Sequence, residues 1–168
     1  MANLERIQAN NALIQNCIDK ANSLPNAGSG GGGSEFLKKL AEGTLTEIKA
    51  EDLQGVTKLK YSFLAGYEDL TNITFADTIT EIDDYCTAEC PLSSVTFGKN
   101  ISRIGNEAIW AWFLEVIDLT ACSIPPAIEE DSFFGLESSC EIRVKSTLVD
   151  AFKNATNWSV YADQIVGV

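Results

Sequence analysis

The constraint that dominates this chain is a ladder of apolar residues recurring every 22 positions. Leu70, Leu92 and Leu114 keep that spacing, as do Ile73, Val95 and Ile117, and then Phe75, Phe97 and Leu119. Ile79 with Ile101 and Ile82 with Ile104 extend it, while Cys86 aligns with Ala108 and Cys90 with Trp112. A fixed period of this length describes one small unit repeated. No single copy can bury its own apolar face, so stability must come from stacking. Within each copy the pattern alternates, so Ile73 and Phe75 should point inward and Asn72 and Thr74 outward. One short strand per copy, laid on the next, makes a parallel sheet.

The copies "LTNITFADTITEIDDYCTAEC" and "LSSVTFGKNISRIGNEAIWAWF" resemble the BspA-like class of leucine-rich repeats over roughly residues 45–168. An irregular first copy precedes them. "LEVIDLTACSIPPAIEEDSFFGL" is similar to the proline-containing last copy of that family, and "IRVKSTLVDAFKNATNWSVYADQIVGV" to its C-terminal cap. The resemblance implies an α/β repeat, a leucine-rich-repeat solenoid with short parallel strands and a C-terminal helical cap. Ser146 is expected to N-cap that helix, and Trp158 and Tyr161 to close the core. Two positions depart from the pattern. Asp83 stands where the next copy has Gly105, and Thr87 where the family prefers an aromatic.

Ahead of the repeats, residues 1–25 predict a separate N-terminal α-helix ended by Pro25. Leu4, Ile7, Asn11, Ile14, Ile18 and Ala21 step by alternate threes and fours, a heptad seam with one polar position. So short a helix gains stability by self-association, as a dimer or trimer, or by docking on another protein; packing on the solenoid is the plainer alternative. Residues 26–34, rich in Gly and Ser, read as a flexible linker. The repeat domain is then expected to span 35–168.

Net charge is −12, and the charges of residues 1–34 cancel, so the excess acid lies beyond them. No basic residue occurs between Lys60 and Lys99, or between Arg103 and Arg143. Such a field repels phosphate backbones, arguing against nucleic acid as a partner. It serves solubility, or attraction to a basic protein. No apolar run is long enough to insert in a membrane. The N-terminus lacks a basic and apolar leader, which predicts a protein not secreted by a signal peptide.

The chain has no histidine, which removes Ser-His-Asp and Cys-His machinery and histidine-ligated metals. Cys86 and Cys90 have no second pair to complete a zinc tetrad. The expectation is a non-enzymatic protein with no cofactor and no metal.

Two candidate binding features remain. Asn72, Thr74, Ser94, Thr96, Val116 and Asp118 should form adjacent columns on the exposed sheet face, extended by Glu141, Arg143 and Lys145. Trp110 aligns with Ala88 and should be exposed, whereas Trp112 and Ile109 fall in core slots. The bland alternatives are ordinary solvated strands and a Trp lying flat over core.

Residues 1–25 also resemble N-terminal segments of bacteriophage virion proteins. The combined expectation is a virion-associated appendage, assembled in the bacterial cytoplasm, that presents an acidic surface to a protein or a surface glycan. The alternatives are an intracellular anti-defence inhibitor of a basic host protein and a bacterial surface adhesin.

Overall fold

The computed structural model describes residues 31–168. The six heptad positions Leu4 to Ala21 lie outside the described residues. The chain divides into two compact units, Met1–Leu45 and Thr46–Val168.

In the first unit, helix α1 (Gly31–Glu42) begins inside the stretch read as a linker. Residues 35–42 are mostly good helix formers, and the three glycines, whose cost is backbone entropy, are confined to the first turn. The helix stops at Gly43, in the left-handed region at φ +70°. Gly43 N–H donates to Leu40 O and Thr44 N–H to Lys39 O, at 3.4 and 3.0 Å. That pair of bonds is the glycine-terminated motif that satisfies orphan carbonyls at a helix end.

The second unit is a stack of parallel strands. Its front sheet has the order β1 (Glu47–Ile48), β3 (Asn72–Thr74), β5 (Ser94–Thr96), β8 (Val116–Asp118), β11 (Glu141–Val144) and β12 (Ile165–Gly167). The side sheet runs β2 (Lys58–Leu59), β4 (Glu81–Ile82), β6 (Arg103–Ile104) and β9 (Ala127–Ile128). A third pairing joins β7 (Ile109–Trp110) to β10 (Phe133–Phe134). Non-consecutive neighbours in every sheet mean that each copy winds once around the core.

The register confirms the ladder and shows where it stretches. Ile73 pairs with Val95 and Val95 with Ile117, both at the expected spacing. Ile117 then pairs with Ile142, 25 residues on (117 to 142). The third pairing joins Ile109 to Phe133, a step of 24 (109 to 133). The extra residues lie in the loops, where insertions cost little.

Leu70, Leu92 and Leu114 are all buried, as are Ile73, Val95, Ile117 and Ile142. Phe75 stacks on Phe97 at 5.2 Å between ring centroids. Toward the C-terminus the core is aromatic: Phe133 lies 5.6 Å from Trp158, which lies 5.1 Å from Phe152. Trp158 is fully buried, and its indole N–H donates to Pro126 O at 2.8 Å. Tyr161 packs edge-on against Phe133 but stays partly exposed.

After β11 the chain makes a 3-10 turn (Ser146–Leu148) and helix α2 (Val149–Lys153), then returns as β12 beside β11. Ser146 does not cap the helix as expected. The intervening turn places its hydroxyl at the chain end, where it donates to Val168 O at 3.2 Å. No helix among the described residues is long and apolar enough to cross a membrane.

Candidate protein-binding faces

Strand alternation places the front-face side chains as the sequence predicts. Asn72, Ser94, Val116 and Glu141 stand in one register column, and Thr74, Thr96, Asp118 and Arg143 in the next. All eight are exposed or half-buried. Their hydrogen bonds are local. Asn72 Oδ1 accepts from Ser94 Oγ at 2.6 Å and from Ser93 Oγ at 3.3 Å. Asp118 Oδ1 accepts from the Thr120 N–H and hydroxyl at 2.8 and 2.7 Å. Arg143 forks onto Glu141 two residues back, donating from Nε and from one terminal nitrogen. Lys145 turns aside to the loop carbonyl of Cys122, at 2.9 Å.

Among the described residues, most of the ion pairs lie at the side sheet. Lys58 lies 3.0 Å from Glu81 and 2.9 Å from Asp83. Arg103 reaches Asp83, Asp84 and Glu129 at 3.6, 3.8 and 3.4 Å. The hydrogen bonds that the Lys58 ammonium donates to Asp83 and then Glu81 hold it above its usual pKa range. The pairs are solvent-exposed and add little to stability; the two cations offset part of the charge of the four carboxylates around them.

The third face differs from expectation. Trp112, expected in the core, is 50% exposed, and Phe113 beside it is 67% exposed. Trp110, expected outside, is half-buried against Phe134 at 5.5 Å. Two local features cause the exchange. First, Ala111 N–H donates to Phe134 O at 2.8 Å, and the chain turns there, with Leu114 N–H donating to Ala111 O at 3.1 Å. The small Ala111 side chain therefore enters the core one residue early. Second, Gly135 leaves a bare Cα beneath the Trp112 ring, and a Cβ there would lie 2.6 Å from Cδ2 and Cε2. Ile109 is buried as expected.

Among the described residues, the Trp110 indole N–H is buried without a hydrogen-bond partner. Its backbone N–H is satisfied by Thr87 Oγ1 at 3.1 Å, and the Thr87 hydroxyl donates to Ala108 O at 3.2 Å. So Thr87, fully buried in a slot where an aromatic is expected, serves as a polar bridge between copies. At the other departure, a Cβ on Gly105 would run into the Asp84 carboxylate and come within 2.8 Å of Asp84 N. That carboxylate accepts from Asn106 N–H at 2.9 Å.

Cys86, Cys90, Cys122 and Cys140 are buried free thiols; Cys17 lies outside the described residues. Burial pushes Cys86 above the thiol range, Cys90 up to about 12, and Cys122 and Cys140 up to about 11. None has the lowered pKa of a reactive thiolate. Among the described residues, no group of three or more Cys, Asp or Glu side chains is arranged to hold a metal ion.

A stack of parallel strands with a side-chain column on every exposed face is a repeat scaffold, the architecture that presents extended binding surfaces. Residues 41–112 match the family model described as a BspA type leucine rich repeat region of six copies, so this chain carries a BspA-type leucine-rich-repeat region. Parallel pairing continues past the matched residues to Gly167. Repeat regions of this type serve as protein-binding or adhesion scaffolds. No curated protein matches the chain.

Proposed function

We propose that this protein is a non-enzymatic binding protein whose repeat unit presents its front sheet to a protein partner. The carrying observation is the continuous register of the two front columns, from Asn72 and Thr74 across to Glu141 and Arg143. Short polar side chains on a rigid sheet lose little conformational freedom on binding, which favours a flat complementary contact. Residues 146–168 act as the C-terminal cap, keeping the aromatic end of the core from water.

In this reading residues 1–25 anchor or oligomerise the protein and the repeat unit faces outward, the layout of a virion appendage. Multiple copies would turn weak single contacts into avidity. The acid excess favours a second reading, an intracellular inhibitor of a basic protein, whose binding would collapse between low and moderate salt.

A photo-crosslinking residue at Thr96, compared with one at exposed Asn154, tests the front face in the cell that makes the protein. A discrete crosslinked protein from position 96 and none from position 154 is the expected result. Equal, diffuse labelling from both would sink the assignment. Co-sedimentation with purified virus particles tests the appendage role, and its absence would leave the inhibitor reading.

A further inference from the structure

The third face carries a surface that the front-sheet reading leaves unused. Trp112 and Phe113 are large apolar side chains exposed side by side, and Trp112 meets Phe134 edge-on at 5.6 Å. Trp110 completes the patch against the same Phe134 ring. Exposed aromatic clusters of this kind mark interaction sites.

The charges around the patch indicate what would cover it. β7 and β10 are each preceded, two residues before the strand, by a carboxylate: Glu107 before Ile109 and Asp131 before Phe133. Glu107 N–H donates to Asp131 O at 2.9 Å, so the two residues stack between copies just as Trp110 and Phe134 do. In each of the two copies the carboxylate precedes the aromatic residue by three positions, Glu107 before Trp110 and Asp131 before Phe134. Among the described residues neither carboxylate is held in an ion pair; Glu107 Oε1 accepts only from the Tyr85 hydroxyl, at 3.3 Å. A guanidinium suits both halves: its plane stacks on indole faces, and its fork of donors matches a carboxylate.

We propose that the Trp112–Phe113 face docks an extended, arginine-bearing segment of a basic protein partner, with an arginine held between the aromatic patch and the Glu107–Asp131 pair. The neighbouring apolar side chain of that segment covers Phe113. This contact is separate from the front columns and does not need them.

The full-length chain contains three tryptophans, so its indole N–H resonances report by position in a nitrogen-15 NMR titration. The probe is an end-blocked peptide of alternating arginine and leucine; its control replaces each arginine by citrulline, which has the same shape without the charge. The expected result is saturable movement of the Trp110 and Trp112 indole signals, with the buried Trp158 signal unmoved. The citrulline peptide should bind about tenfold or more weakly, and Trp112→Ala should abolish the shifts. The doubly neutralised chain with Glu107→Gln and Asp131→Asn, which leaves the aromatics intact, should also lose about tenfold. Equal affinity for the two peptides would overturn the basic partner. Undiminished arginine-peptide binding by the Trp112→Ala chain would overturn the face. Neither result touches the front-sheet reading, which stands or falls on crosslinking at Thr96.

Discussion

The indole of Trp112 rests on the bare Cα of Gly135, where an added methyl would lie 2.6 Å from two ring carbons. Gly135 also holds φ +78°, a conformation that side-chain-bearing residues adopt at a cost. Gly135→Ala therefore meets a steric and a backbone penalty together, about 1–3 kcal/mol. The transition should move down by several degrees in a thermal melt, and tryptophan emission should shift to the red as the ring is pushed into water. Unchanged emission would show that the ring does not depend on this seat.

Thr87 offers a cleaner test of the polar bridge. Its hydroxyl accepts from Trp110 N–H and donates to Ala108 O. Thr87→Val keeps the shape but leaves the Trp110 N–H without its acceptor, at a cost of about 1–3 kcal/mol, while Ala108 O keeps the bond from Thr87 N–H at 3.0 Å. Thr87→Ser keeps both bonds and loses one methyl, about 1 kcal/mol. Urea unfolding should rank valine below serine, and the reverse order would mean that packing outweighs the bridge.

Gly98 lies where successive turns touch. A Cβ there would sit 2.5 Å from Ala76 O and 2.8 Å from its carbonyl carbon. Backbone cannot step aside as a flexible side chain can. Gly98→Ala should destabilise by about 2 kcal/mol or more, through parting of adjacent copies. Amide exchange at Phe75 N–H, which bonds Thr96 O across the same junction, should accelerate with it.

The four buried thiols predict alkaline behaviour. Each has a folded-state pKa raised by burial above the unfolded value near 9. Their contribution is complete below that value. It is lost as pH rises, because the unfolded chain ionises first. The urea midpoint should fall between pH 8 and pH 10, with a shallower slope in Cys86→Ala. In a Cys17→Ser background, a thiol reagent at pH 8 should find little to react with until denaturant is added. Rapid labelling of the native protein would contradict the burial of these cysteines.

Much of the architecture was legible beforehand because stacking imposes a strict repeat on every inward side chain. Leu70, Leu92 and Leu114 must share one environment if the chain coils at all, and the front columns follow from the alternation of a strand. The aromatic face was not legible in the same way. Aligning Trp112 with Cys90 at a constant spacing assumes that the turn geometry repeats, and here it does not. In the copy beginning at Leu70, Glu89 takes a left-handed turn at φ +63°, whereas the next copy continues as β7 and turns at Ala111. Gly135 was the available signal, a glycine in the copy that receives the Trp112 ring. Only the pairing of β7 with β10 places it there.

The amino-acid order alone determined that the chain would wind with a period near 22 residues, that the laddered positions such as Leu70, Leu92 and Leu114 would line its core, and that its surface would carry a net negative charge. Periodicity and composition are additive properties, and they survive small errors in register. Which tryptophan faces water, and which carboxylates stand beside it, was decided by tertiary structure. A single-residue slip in one turn exchanges inside for outside, and that slip is set by how one copy seats on the next.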